Sequence, residues 1–188
     1  MPNYRRAKVA GGTYFIHTGH ASSQVSVWRP TGENTAGKLF SRMSRAVVFE
    51  TRAIVLLPDH LHVIWSLPRG DAEYSRRWSW IKKEFTKQWL AICDLKPTFL
   101  LLAKRRVAVE CGSRGSGNIT IETEIDYERH FDYIHYNPVK HGYVKFPHAW
   151  APSSFHRWVK GILPWHWACW QDGTNPLSFE DIHQSVGE

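Results

Sequence analysis

The stretch AIVLLPDHLHVIWSLP, residues 53–68, constrains the fold more than any other. Its β-branched and apolar residues read as buried strand, preceded by VVFETR and interrupted at Pro58-Asp59. Proline is poorly tolerated inside a central strand, so the segment is two strands or one broken strand. Two histidines sit in the second half. Residues i and i+2 of a strand point to one face, so His60 and His62 present two imidazoles side by side while Leu61 faces the core. Buried imidazoles carry a desolvation penalty unless they are hydrogen-bonded or ligated. The pair is therefore either two satisfied structural histidines or half of a metal site.

The rest of the chain reads around that strand. GGTYFIHT (11–18) is a first strand after a glycine turn. Residues 71–92 form an amphipathic helix with Trp78, Ile81, Phe85, Trp89 and Ile92 at helical spacing. Residues 103–118 have the composition of a flexible loop, and ITIE (119–122) is one more strand. Residues 123–139 form a second helix that Pro138 ends, with Asn137 as its last plausible helical position. Ile125, Arg129, Tyr133 and Asn137 recur every four residues and stack along one face. After Gly142 the chain is aromatic, basic and proline-punctuated, a tail of short elements packed over the domain. The division is 1–145 for the main domain and 146–188 for the tail.

A length of 188 residues suits one domain with a buried core. The formal net charge is +7 and the pI about 9.5, which favours a polyanionic partner, nucleic acid first. Arg76, Arg77, Lys82, Lys83, Lys104, Arg105, Arg106 and Lys140 are candidate phosphate contacts, though each alone also fits a solvated charge. No apolar run is long enough to span a bilayer, and the start of the chain is polar and basic. Cys93, Cys111 and Cys169 lie far apart with no CxxC pair, which points to a reducing, cytoplasmic setting.

Two imidazoles leave a phosphate-activating metal short of a ligand. Asn137 can add an amide oxygen. Tyr133, one helical turn earlier on the same face, is either a packed helix tyrosine or a nucleophile toward phosphorus. His135, His141, His148, His156 and His166 read as surface or packing groups.

PDHLHVIWSLP together with HFDYIHYNPVKHGYV resembles the REP-associated tyrosine transposases, relatives of the IS200/IS605 transposases within the HUH endonuclease superfamily. YRRAKVAGGTYF, RRWSWIKKEF and SSFHRWVKG are similar to further landmarks of that family, so the likeness is scattered over most of the chain. The resemblance implies an α+β fold, a ferredoxin-like antiparallel sheet with helices on one face. It implies that Tyr133 attacks a single-stranded DNA phosphodiester, leaving a 5′-phosphotyrosine link and a free 3′-hydroxyl, with Tyr136 as a competing nucleophile lying off the Tyr133–Asn137 face. His60, His62 and Asn137 would hold Mg²⁺ or Mn²⁺. The implied partner is single-stranded or hairpin-forming DNA, bound by a monomer or homodimer. A non-catalytic DNA-binding relative and a metallohydrolase using water are the rival readings.

Two segments depart from the family pattern. GSRGSGNI (112–119) stands where the family carries an RFWEH-like strand, and its codons can spell QSRFWEH in a shifted frame. GENTAGKLFSRMSR (32–45) is codon-compatible with VKTLRESFLAECR, a better amphipathic helix. The hypothesis is a pair of short compensating frameshifts in an ancestral enzyme, with weakened DNA binding, marginal folding or lost activity as the consequence. Codons that do not give those shifted readings would refute it.

Overall fold

A computed structural model describes residues 8–19, 50–58, 60–92, 116–159 and 178–182. Four strands form one antiparallel sheet: β1 (Thr13–Gly19), β2 (Glu50–Leu56), β3 (His60–Ser66) and β4 (Ser116–Ile121). Their order is β2-β3-β1-β4, the order of a ferredoxin-like sheet. The described helices are α1 (Tyr74–Ile92), α2 (Glu124–Lys140) and the short α3 (Phe155–Val159), with a 3-10 turn at Pro147–Ala149.

The break at Pro58 resolves into two strands. β2 and β3 pair antiparallel, from Glu50 opposite Ser66 to Leu56 opposite Leu61, and the Leu57 amide donates to the His60 carbonyl at 2.8 Å. β3 lies inside the sheet with both faces covered, which explains its nearly unbroken apolar sequence. One face carries Val63 and Trp65, which join Tyr14 and Ile16 of β1 and Tyr74, Trp78 and Ile81 of α1. Trp65 meets Trp78 edge to face at 5.1 Å, and Tyr14 stacks on Tyr74 at 4.6 Å. The other face carries Phe15, Ala53, Val55 and Ile64, packed on Tyr133 and Ile134 of α2. Fully burying a side chain such as Phe15 or Ile64 stabilises by about 1.5–3 kcal/mol. Leu61 packs with the α1-side cluster, as its alternation requires.

The expectation of helices on one face is therefore corrected: α1 and α2 lie on opposite faces. The physical reason is the period of two in β3. Its apolar face needs α1, and its histidine face needs a separate cover.

Two element boundaries also move. β4 begins at Ser116, not at residue 119, and runs in register with β1 from Thr18 opposite Ser116 to Thr13 opposite Ile121. Half of segment 112–119 is thus strand, an edge position that tolerates Ser116 and Gly117. Segment 32–45 lies outside the described residues, as do Lys104, Arg105 and Arg106. α2 does not stop at Pro138; it continues to Lys140. The His141 amide reaches the Asn137 carbonyl at 3.0 Å, and Gly142 turns the chain with φ of 70°. At the other end Thr123 caps α2, its hydroxyl accepting from the Asp126 amide at 3.1 Å.

Residues 150–158 cover the outer edge of β2. The Leu56 amide donates to the Pro152 carbonyl, Ser154 bonds both ways with Ile54, and Trp158 Nε1 donates to the Arg52 carbonyl at 3.0 Å. Trp150 Nε1 donates to the Leu56 carbonyl at 2.9 Å. An edge strand closed in this way offers no free ladder to another chain. No described helix is long and apolar enough to cross a membrane.

Candidate active site

The site forms where the histidine face of β3 meets α2. His60 and His62 are 6% and 0% exposed, and Asn137 is 0% exposed. The Asn137 amide spans both imidazoles: its Oδ1 is 3.3 Å from His60 Nε2, and its Nδ2 is 3.2 Å from His62 Nε2. An amide oxygen only accepts and an amide nitrogen only donates. His60 Nε2 therefore carries a proton toward Asn137, whereas His62 Nε2 offers its lone pair.

Tyr133 lies one turn before Asn137 and is 1% exposed. Its ring meets the edge of His62 at 5.2 Å and packs on Phe15 and Phe179 at 6.1 and 5.6 Å. Two turns further on, Lys140 places Nζ 3.4 Å from the Tyr133 hydroxyl and 5.3 Å from the ring centroid. The two helical residues past Pro138 bring Lys140 to this contact. Tyr136, half-buried, packs on the other tyrosine's neighbour Phe179 at 6.0 Å.

Two further histidines belong to the cluster. His17, 6% exposed on β1, sits opposite His62 in register, with Nδ1 3.4 Å from His62 Nδ1. His141 brings its ring to 4.9 Å from His60. His141 is exposed, as a surface or packing group would be, whereas His17 stands out from nothing in the sequence. Alternation places His17 on the Phe15 face of β1, but only strand pairing puts that face beside His62.

His135 is a packing group. It is fully buried, with Nδ1 donating to the Phe131 carbonyl at 2.9 Å and Nε2 2.9 Å from Ser154 Oγ. Burial pushes its pKa down to about 3. His148 is exposed and His156 half-buried, while His166 lies outside the described residues.

The candidate phosphate contacts separate. Arg76 and Lys83 are exposed on α1, on the far side of the sheet from Tyr133. Arg77 is engaged by Asp71: its Nη1 donates to Asp71 Oδ1 at 2.8 Å and its Nη2 pairs with Asp71 Oδ2. That hydrogen bond, with one from the Glu73 amide, holds the Asp71 carboxyl down to about 2. The Lys82 side chain lies outside the described ones. Among the described side chains of the named cations, Lys140 alone is placed at the phenol.

Family resemblance implies a divalent cation, and the donor set tests whether one fits. Among the described residues no three His, Cys, Asp or Glu side chains converge as a metal-binding group. His60 and His62 gain a third donor from the Asn137 amide, whose oxygen lies against His60 and whose nitrogen lies against His62. Two imidazoles and an amide oxygen, joined through the Asn137 amide, are a chemically apt set for Mn²⁺ or Mg²⁺.

Sheet, paired histidines and facing tyrosine helix together give the architecture of an HUH-class α+β domain. A REP-associated tyrosine transposase of Escherichia coli strain K12 is 38% identical over 173 residues, spanning 89% of this chain and 92% of that protein. A Haemophilus influenzae strain Rd protein with the same family name is 36% identical over 179 residues, 94% and 96% of the two chains. A solved structure of a REP-associated tyrosine transposase bound to a REP hairpin superposes with a TM-score of 0.67 at 34% identity, covering 86% of this chain and 87% of that one. No protein-family profile matches the chain. The chain belongs to the REP-associated tyrosine transposases.

Proposed function

We propose that this chain is a metal-dependent single-stranded DNA endonuclease and strand transferase that cleaves beside hairpin repeats through a 5′-phosphotyrosine on Tyr133. The observation that carries the reading is the Asn137 amide joined to His60 and His62 one turn from Tyr133, whose hydroxyl lies 3.4 Å from Lys140 Nζ. Tyr133 Oη bonds to phosphorus as the P–O3′ bond breaks. The phenol gives up its proton and the departing 3′-oxygen ends as a hydroxyl. Lys140 stabilises the phenolate through the approach. His60, His62 and Asn137 hold the cation, which when bound supplies Lewis-acid polarisation of the scissile phosphate. Attack by a 3′-hydroxyl on the phosphotyrosine reverses the step and joins strands. The partner is single-stranded or hairpin DNA, in keeping with the REP hairpin carried by the solved relative.

The direction of the link gives the test. A hairpin oligonucleotide labelled at its 3′ end should carry its label onto the protein in a denaturing gel, while a 5′ label should stay on a shorter free strand ending in a 3′-hydroxyl. Cleavage with neither label bound to protein would overturn the tyrosine mechanism in favour of water as nucleophile. A non-catalytic DNA-binding relative is the second reading, and the near-complete burial of Tyr133 favours it. Binding without cleavage of either oligonucleotide would select it.

A further inference from the structure

The histidine cluster holds two members that the nicking reaction does not use, His141 and His17. His17 lies on β1, directly across the ladder from His62, with its Nδ1 3.4 Å from His62 Nδ1 and its ring at 4.8 Å and 32°. The hydrogen-bond chain through these rings has one consistent direction. Asn137 Nδ2 can only donate, so His62 Nε2 accepts. A neutral His62 then carries its proton on Nδ1, where it points at His17 Nδ1. His17 accepts there, so its own proton is on Nε2. Phe15, stacked on the His62 ring at 5.5 Å and 16°, fixes the ring plane, but stacking does not choose between the two nitrogens. A hydrogen bond at Nδ1 does choose.

We propose that His17 is a positioning residue for the metal centre, holding His62 in the Nδ1–H tautomer, which leaves its Nε2 lone pair, now met by Asn137 Nδ2, available to an ion. This rests on the reading of His60, His62 and Asn137 as the metal site. A metal-bound histidine commonly donates its other ring N–H to an acceptor that fixes its orientation and raises its basicity, and losing that acceptor lowers metal affinity by roughly 10–100-fold. The usual acceptor is a carboxylate, a carbonyl or water; here it is another imidazole. His60 is not preset in the same way. Its Nε2 proton faces Asn137 Oδ1, so it must move that proton to Nδ1 before it can bind an ion. His62 is thus the ligand prepared in advance, and His17 prepares it.

The test uses Mn²⁺ alone as probe and the full chain, comparing wild type, His17→Phe, His17→Asn and His62→Ala. Free Mn²⁺ is followed by electron paramagnetic resonance, and the tautomer of His62 by ¹⁵N NMR of the metal-free protein. Asparagine keeps an acceptor at the position of Nδ1; phenylalanine keeps the ring volume without it. The expected result is Mn²⁺ affinity at least tenfold weaker in His17→Phe, most of it restored in His17→Asn, and an Nδ1–H tautomer for His62 in the wild type. An Nε2–H tautomer in the wild type overturns the inference and needs no variant to fold. So does wild-type Mn²⁺ affinity in a folded His17→Phe when His62→Ala has lost it. Wild type and His62→Ala that both fail to bind Mn²⁺, or bind it equally, overturn the metal reading itself and this role with it.

Discussion

Lowering the pH should destabilise this protein through one identifiable side chain, His135. Its ring is fully buried between α2 and the tail, and burial pushes its pKa to about 3 from the ordinary value of 6.5. In the unfolded chain the imidazole takes its proton near pH 6.5; in the folded protein it resists until about pH 3. The unfolded state binds more protons throughout that window. The stabilising contribution is therefore complete above pH 6.5, falls as the pH drops, and is exhausted below pH 3. At pH 5, one and a half units below the unfolded value, the loss is about 2 kcal/mol. Between pH 8 and pH 5 Asp71, held down to about 2 by Arg77, is ionised in the folded and the unfolded chain alike and adds nothing to the slope. Urea unfolding at pH 8 and pH 5 measures the effect in wild type and His135→Phe. The variant should be less stable at pH 8, because the Phe131 carbonyl and Ser154 hydroxyl lose a partner. Its further loss on going to pH 5 should be smaller than that of the wild type by about 2 kcal/mol. Equal pH dependence in both proteins would refute the assignment of a buried neutral imidazole.

The remaining predictions concern the site and the charged helix. Asn137→Ala should abolish metal-dependent cleavage and lower stability by about 1–3 kcal/mol, since His60 and His62 both lose the amide, as chemical denaturation will report. Lys140→Met should slow single-turnover cleavage by roughly 10–100-fold without moving the cut, because the cation that faces the phenolate is gone. Arg76 and Arg77 should behave differently despite their adjacency. Arg76→Ala should reduce the salt slope of hairpin binding by about 1 with unchanged Tm, whereas Arg77→Ala should lower Tm and leave the slope alone.

What could be read from the sequence follows a physical division. Period-two alternation located the histidine face of β3, and period-four recurrence put Tyr133 and Asn137 on one face of α2, because both are local geometry. Pairing of distant strands is not local. The placement of β1 next to β3 brings His17 to His62, and no spacing within GGTYFIHT contains that neighbour. The end of α2 was misread for a related reason. Proline usually stops a helix, yet Pro138 sits in the last turn, and the chain beyond it is held by amide bonds from His141, Gly142 and Tyr143. The two residues past Pro138 carry Lys140 to the phenol. Likewise, Ser116 and Gly117 have little strand propensity, and they are strand because β1 offers them a ladder. The charge-rich α1 showed where cations are, but not that Arg77 is engaged by Asp71.

The central claim is that Tyr133 is the nucleophile of a metal-dependent transesterification. The direct measurement incubates labelled single-stranded hairpin DNA with the purified protein and Mn²⁺ or Mg²⁺, wild type beside Tyr133→Phe, with and without a chelator, on a denaturing gel. A covalent protein–DNA band that needs the metal and vanishes in Tyr133→Phe is the predicted result. A covalent band that persists in a folded Tyr133→Phe protein, or DNA cut by the wild type with no such band, would contradict it.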